Sequence, residues 1–149
     1  MPLEHRKGDL LTSDCTVIAH GCNCFNIMGG GIARAIKSRY PLAYEADCKT
    51  IRGDIDKLGT YTMCRYPKLR VFNLYTQYRF GTTKAHLDYE ALVKALIALR
   101  TVLNKYDPNR LETIGLPRIG CGLAGGDWKV VSELIGAIYS MRTIRIYTL

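Results

Sequence analysis

Apolar positions along the chain fall into short runs typical of strands and longer runs typical of helices. Five runs rich in β-branched and aromatic residues predict β-strands, over residues 15–20, 61–66, 70–76, 112–117 and 143–149. Helical spacing predicts helices between most of these strands, over residues 32–39, 42–49, 87–106 and 127–140. The alternation predicts an α/β sandwich with helices on both faces of a mainly parallel or mixed sheet.

The longest predicted helix shows the clearest pattern. Leu92, Leu96, Leu99 and Leu103 are spaced four, three and four residues apart, so they share the face that packs on the sheet. The following helix begins at an acidic residue after a Gly-rich segment, which is a typical helix start. A chain of 149 residues is long enough for one core and too short for two, so we expect a single domain over residues 1–149.

Composition and charge narrow the choice of partners. No apolar run reaches the roughly 18 residues of a membrane span, and MPLEHRKGDL lacks a signal core, so we expect a cytoplasmic protein without a membrane partner. The six cysteines include no CxxC pair, which favours reduced thiols over a zinc site or disulfides, and we expect neither metal nor cofactor. A net charge of +8 favours an anionic partner such as phosphate, although a generally charged surface explains it equally well.

Two Gly-rich segments each follow a predicted strand and precede a predicted helix. The first loop is GCNCFNIMGGGIA at residues 21–33, and the second loop is GCGLAGGDW at residues 120–128. Loops of this kind meet at the carboxyl edge of a parallel sheet, where ligands bind. Glycines allow close approach and let N–H groups point inward, and a following helix N-terminus adds partial positive charge. One such loop can be only a tight turn, but two together predict that a diphosphate is held from both sides.

Five ordered motifs carry a resemblance that covers essentially the whole chain. They are KGDLL at 7–11, VIAHGCN at 17–23, MGGGIA at 28–33, LPRIGCGLAGGDW at 116–128 and the terminal IYTL. With them the chain resembles the macrodomains, an ADP-ribose-binding family with a three-layer α/β/α fold around a mixed, mostly parallel sheet. It is most similar to the branch that contains ADP-ribose-1''-phosphate phosphatases, terminal ADP-ribose protein glycohydrolases and DNA-directed antitoxin macrodomains.

The resemblance implies an ADP-ribose site at particular positions. Asp9 matches the acid that binds the adenine amino group, Asn23 matches the side chain that binds the distal ribose, and Tyr147 is a neighbour of adenine. Without the resemblance, Asp9 suits a turn cap, Asn23 suits a turn, and Tyr147 suits ordinary strand packing. The remaining implied contacts are Leu10, Met28, Gly29, Gly30, Gly31, Ile32, Gly120, Cys121, Gly122, Leu123, Ala124 and Gly125.

Three residues are candidates for chemistry at C1'' of the distal ribose. His20 ends a strand beside the first loop and can move a proton near neutral pH, or it can simply fix the loop by hydrogen bonding. Lys84 loosely matches the lysine of ADP-ribosyl-hydrolysing members, where it would form a Schiff base; the alternative is a solvated lysine. Asp127 is the acid nearest to Ala124, where protein glycohydrolases carry an acid, but it also suits a helix cap.

These observations predict a hydrolase that acts at C1'' of an ADP-ribose derivative, with ADP-ribose-1''-phosphate phosphatase as the first expectation. A glycohydrolase that removes mono-ADP-ribose from DNA or protein, and a reader that binds without turnover, are the alternatives. The expected partners are ADP-ribose or a derivative, including ADP-ribosylated DNA or protein, and we expect a monomer.

Overall fold

The computed structural model describes residues 3–81 and 86–149. Within this described part, the strands are β1 (Leu3–Lys7), β2 (Val17–Cys22), β3 (Tyr61–Tyr66), β4 (Leu69–Tyr75), β5 (Ile114–Leu116) and β6 (Ile144–Thr148). The α-helices are α1 (Gly31–Arg39), α2 (Pro41–Cys48), α3 (Tyr89–Tyr106) and α4 (Trp128–Ile138). Two short 3-10 turns lie at Leu10–Thr12 and Ile55–Lys57.

The strands form one sheet in the order β1-β6-β5-β2-β4-β3. Every neighbouring pair is parallel except β3 and β4, which form an antiparallel hairpin. Strand β2 lies between β5 and β4, with Val17 opposite Ile114 and Ile18 opposite Val71. The carboxyl ends of three parallel strands therefore lie side by side at one edge of the sheet.

Helices cover both faces of this sheet. On one face, α3 and α4 pack on β2, β4, β5 and β6, and the leucines at 92, 96, 99 and 103 are fully or almost fully buried. On the other face, Ile36 of α1 and Ala43 of α2 pack against Ile18 and Val71. Burying one such leucine or isoleucine side chain contributes about 1.5–3 kcal/mol, so both helical layers are held chiefly by apolar burial. The predicted three-layer α/β/α arrangement is confirmed.

Local chemistry explains where the helices begin. The carboxylate of Asp88 accepts a hydrogen bond from the Ala91 amide at 3.0 Å and starts α3. Pro41 occupies the first turn of α2, where its missing N–H leaves no helical hydrogen bond unmade. The predicted strands and helices are all present, with ends shifted by a few residues.

Strand β1 is the element that the hydrophobic pattern missed. Its sequence, LEHRK, has three exposed residues out of five and shows no strand alternation. It forms because backbone hydrogen bonds to β6 extend the sheet at its edge, from Leu3 opposite Ile144 to Lys7 opposite Thr148. Pairing of this kind depends on the neighbouring strand, so the sequence of β1 alone carries little signal for it.

Candidate functional site

A cavity of about 600 Å³ opens at the carboxyl edge of the sheet. Its lining comes from the end of β2 with the first loop, from the segment after β4, and from the second loop. The residues are 21–23, 27, 29–33, 77, 80–81 and 117–124. The two predicted Gly-rich loops are thus brought together around one space, as the carboxyl ends of neighbouring parallel strands require.

The first loop is shaped by the side chain of Asn23. Its Nδ2 donates to the Ile27 carbonyl at 2.8 Å, and its Oδ1 accepts from the Phe25 amide at 2.9 Å. An amide side chain has a second N–H and further acceptor capacity, so Asn23 can still hydrogen-bond a ligand hydroxyl. The residue lines the cavity while its own contacts hold the loop in shape.

Helix α1 begins on the cavity wall without a capping side chain. Its N-cap is Gly30, and residues 29–33 line the cavity. The first N–H groups of a helix have no partner within the helix, and they carry the positive end of its dipole. This end of α1 is therefore suited to an anion such as a phosphate.

The second loop is closed by its own backbone hydrogen bonds. The Gly126 amide donates to the Gly120 carbonyl at 2.8 Å, and the Gly125 amide donates to the Gly122 carbonyl at 3.1 Å. Gly120 has φ +73°, a left-handed conformation that glycine adopts readily. Within residues 3–81 and 86–149, no protein acceptor is found for the amides of Gly122, Leu123 or Ala124. Amides without protein partners on a cavity wall are the donors that an anionic ligand needs.

Charged side chains are scarce in the cavity. Among the described lining residues, Arg118 is the single charged one, and its guanidinium lies 5.4 Å from the centre of the Trp128 ring. Burial raises the pKa of both lining thiols, Cys22 and Cys121, so each is a neutral thiol at pH 7. The described lining therefore offers hydrogen-bond donors and one cation, and no thiolate nucleophile.

The structure places His20 inside the protein and outside the cavity lining. Its side chain is fully buried, and its Nε2 lies 2.7 Å from Oδ1 of Asn73. Burial lowers the pKa of His20 to about 4, against a smaller opposite effect of the Asn73 hydrogen bond. The imidazole is therefore neutral at pH 7 and joined to a buried amide.

Of the other two catalytic candidates, Asp127 is among the described residues and Lys84 is not. Asp127 caps α4: its carboxylate accepts from the Lys129 amide at 3.0 Å, and it is not among the lining residues. Lys84 lies outside the described residues.

Most residues predicted in the two loops line the cavity, namely Asn23, Gly29, Gly30, Gly31, Ile32, Gly120, Cys121, Gly122, Leu123 and Ala124. The predicted contacts that lie outside the lining are Asp9, Leu10, Met28, Gly125 and Tyr147. Asp9 caps the first 3-10 turn by accepting from the Leu11 amide at 2.9 Å. Tyr147 is almost buried, with its hydroxyl 3.7 Å from the Cys15 sulfur.

Several lining residues were not singled out from the sequence. Gln77, Phe80 and Gly81 follow β4, and Arg118 and Ile119 precede the second loop. The pairing of β4 with β2 brings the first three to the cavity. A signal was present, because residues that follow any parallel strand reach the same edge of the sheet.

Two further findings bear on the kind of site. Within the described ranges, no group of three or more His, Cys, Asp or Glu side chains could hold a metal ion. The helices of the described part are all too short or too polar to cross a membrane.

Comparison with known proteins agrees with this geometry. The chain is 36% identical over 155 residues to an uncharacterised 17.5 kDa protein of Enterobacteria phage T4, covering 98% of this chain and 96% of that protein. It is 30% identical over 150 residues to human ADP-ribose glycohydrolase OARD1, covering 99% and 91%. It is also 30% identical over 138 residues to the DNA ADP-ribosyl glycohydrolase of Mycobacterium tuberculosis, covering 88% of this chain but only 37% of that protein. The chain thus spans about a third of that relative's length.

A phosphatase is also among the relatives. The ADP-ribose 1''-phosphate phosphatase of Scheffersomyces stipitis is 26% identical over 160 residues, covering 89% of this chain and 92% of that protein. Among solved structures, the macrodomain of Mycobacterium tuberculosis DarG has a TM-score of 0.80 at 22% identity, covering 99% and 97%, and it supports the fold. The Macro domain family model matches residues 19–135. The chain therefore belongs to the Macro domain family.

Proposed function

We propose that this protein binds ADP-ribose in the cavity and hydrolyses the bond that joins a modified macromolecule to C1'' of the distal ribose. One observation carries the binding half: two loops and the start of α1 present backbone amides around a single space. Backbone amides on two facing loops, one of them at a helix start, suit the two phosphates of a pyrophosphate group. The named activities of human OARD1 and of the Mycobacterium tuberculosis relative support the hydrolytic half.

The placement of His20 favours a glycohydrolase over the phosphatase first expected. A phosphatase that uses His20 as general acid/base needs the imidazole beside the reacting phosphate. The His20 ring instead lies buried against Asn73, outside the cavity lining. Cleavage at C1'' by an amine nucleophile does not use this imidazole.

Lys84 remains the proposed nucleophile on sequence grounds. Its neutral amine would attack C1'', the bond to the macromolecule would break, and the leaving atom would take up a proton. The opened ribose and Lys84 would then form a Schiff base, which water hydrolyses to release ADP-ribose and regenerate the amine. Borohydride should trap this adduct in the wild-type protein and leave none in Lys84→Ala. An active wild-type enzyme that cannot be trapped would remove the Schiff-base step.

A phosphatase is the second candidate, and Arg118 favours it. Arg118 is a lining residue, and its guanidinium, which lies over the Trp128 ring, is the cation that would balance the charge of a phosphate on C1'' if it turned toward the cavity. The Scheffersomyces stipitis relative carries that activity in its name. The two candidates differ in substrate, so a panel decides between them.

The experiment is a panel of ADP-ribosylated DNA, ADP-ribosylated protein, ADP-ribose-1''-phosphate and O-acetyl-ADP-ribose, combined with calorimetry for ADP-ribose. Leu123→Glu tests the site, because this exposed residue of the second loop lines the cavity and a carboxylate there repels phosphates. Leu111→Glu is the matched control, since Leu111 is 82% exposed and precedes the opposite end of β5.

We expect Leu123→Glu to weaken ADP-ribose binding at least about tenfold and Leu111→Glu to leave it unchanged. Release of ADP-ribose from DNA or protein supports the glycohydrolase, and phosphate release alone supports the phosphatase. Tight binding with every substrate intact would show a reader. An absence of ADP-ribose binding by the wild-type protein would refute the proposal as a whole.

A further inference from the structure

A buried lysine lies behind the first loop. Lys57 is 7% exposed, and within the described residues its ammonium forms no ion pair with a carboxylate. It donates instead to Oδ1 of Asn26 at 2.7 Å and to Oγ1 of Thr50 at 2.8 Å. It also lies 5.3 Å from the centre of the Tyr75 ring. Its direct hydrogen-bond partners are neutral, and the buried Asp47 carboxylate is near enough for the ammonium to favour the charged form of that group. Holding an ammonium in the interior requires such partners, so its position is specific.

The residue that Lys57 contacts has an unusual backbone. Asn26 has φ +57°, and apart from Arg110 it is the one non-glycine residue of the described chain with positive φ. A left-handed conformation is unfavourable for a residue that carries a side chain, though less so for Asn, so it persists where surrounding contacts require it. Asn26 lies in the first loop, one residue before Ile27, which lines the cavity.

The Asn26 side chain is hydrogen-bonded at both its oxygen and its nitrogen. Its Nδ2 donates to the Thr50 carbonyl at 3.1 Å, and its Oδ1 accepts from Lys57. The Thr50 hydroxyl lies 3.1 Å from the same Oδ1, but its one proton has a nearer acceptor in the Asp47 carbonyl at 2.6 Å. These contacts tie the loop to the segment between α2 and β3. The carbonyl of Ile27 is then held from the other side by Asn23.

The same segment is also bonded to the sheet and to the first loop. The Gly59 amide donates to the carbonyl of Tyr75 in β4 at 2.9 Å, and the Gly53 amide donates to the Cys24 carbonyl at 2.7 Å. The Tyr75 hydroxyl in turn donates to Asp47 of α2 at 2.7 Å. The residues that hold Lys57 therefore belong to parts of the protein that do not line the cavity.

We propose that Lys57 is a positioning residue, whose ammonium locks Asn26 in its left-handed conformation and thereby holds the first loop ready for the ligand. Lys57 does not touch the cavity. It acts through Asn26, and the effect on ADP-ribose rests on the function proposed above.

The test begins with the protein free of ligand. Lys57→Met removes the ammonium and keeps an unbranched side chain, and Lys105→Met removes one charge from the exposed last turn of α3 as a matched control. Amide hydrogen exchange in residues 23–31 should accelerate about tenfold in Lys57→Met, with no change in residues 69–73 or in the control. Unchanged exchange in residues 23–31, or equal acceleration in both segments, would overturn the proposal.

The affinity for ADP-ribose provides a second measurement. We expect Lys57→Met to weaken ADP-ribose binding about tenfold, as for loss of a charged hydrogen bond. Asn26→Gly removes the contact partner, so adding Lys57→Met to it should change the affinity less than twofold further. Losses that simply multiply would show that Lys57 does not act through Asn26, which overturns the proposal.

A second variant and a binding control allow the experiment to be interpreted even if Lys57→Met does not fold. Lys57→Gln, which removes the charge but keeps a polar side chain, replaces Lys57→Met if that variant does not fold, and the same local exchange is expected. A wild-type protein that fails to bind ADP-ribose refutes the proposed function, while the exchange experiment still decides the role of Lys57.

Discussion

Two glycines of the second loop should respond in opposite ways to the same substitution. Gly120 has φ +73°, and a Cβ there would lie 2.7 Å and 2.8 Å from the two methyl carbons of Leu87. Gly122 has open space where a Cβ would lie, and it lines the cavity. Gly120→Ala therefore tests whether the backbone conformation of the second loop requires glycine. Gly122→Ala tests whether the ligand occupies the cavity beside this loop.

The magnitude follows from two contributions. A left-handed alanine costs about 1–2 kcal/mol, and crowding of a partly exposed leucine adds about 1–2 kcal/mol. We expect Gly120→Ala to lower the free energy of unfolding by about 3 kcal/mol and Tm by about 10 °C. Gly122→Ala should stay within about 0.5 kcal/mol of the wild type.

Urea denaturation and thermal melting without ligand measure the first effect, and calorimetry with ADP-ribose measures the second. Gly122→Ala should bind ADP-ribose more weakly despite normal stability, because the added methyl group takes up open space beside a residue of the cavity wall. Equal losses of stability in the two variants would refute the conformational reasoning. Unchanged affinity in Gly122→Ala would show that the ligand does not approach this loop.

Three further predictions concern the interior, the first loop and metals. His20 stays neutral when folded, with its pKa lowered to about 4 by burial, whereas the unfolded chain takes up a proton below about pH 6.5. The contribution of His20 to the free energy of unfolding is therefore fully present above about pH 6.5, and about 2 kcal/mol of it is lost at pH 5. Urea denaturation of His20→Gln should show a flatter pH dependence. Asn23→Ala should weaken ADP-ribose binding about tenfold by calorimetry, whereas an unchanged affinity would exclude its role in shaping the loop. Hydrolysis should continue in excess chelator, and its loss, with recovery on adding a divalent metal, would refute metal-independent action.

The sequence predicted the parts of the fold that depend on local pattern. The leucine stripe of α3 was readable because its spacing repeats over several turns, and α4 because Asp127 marks its start. Strand β1 was not readable, since its pairing with β6 supplies what its own composition lacks. The two loops of the site were predicted because glycines and a following helix mark them locally.

The direction of the side chains near the site was harder to predict from the sequence than the position of the loops. His20 stands next to the first loop in sequence, yet strand alternation places it on the same side of β2 as the buried Ile18. Because the residues of β2 form a continuous apolar run, the sequence does not show which element packs on the face of the strand that carries His20. The contact between Lys57 and Asn26 was equally hidden, because it joins residues far apart in the chain through a hydrogen bond that only the packed fold creates.

The neighbouring strands β2 and β5 bring Val17 opposite Ile114, although most of the chain lies between them. During synthesis, the first loop is therefore made long before its counterpart exists, and a nascent chain that ends before β5 has only one wall of the cavity. Affinity for a nucleotide should appear late and abruptly, once the second loop has left the ribosome and β5 has paired with β2 and β6. Because β6 is the last strand to be made, ligand binding would report that the sheet is complete.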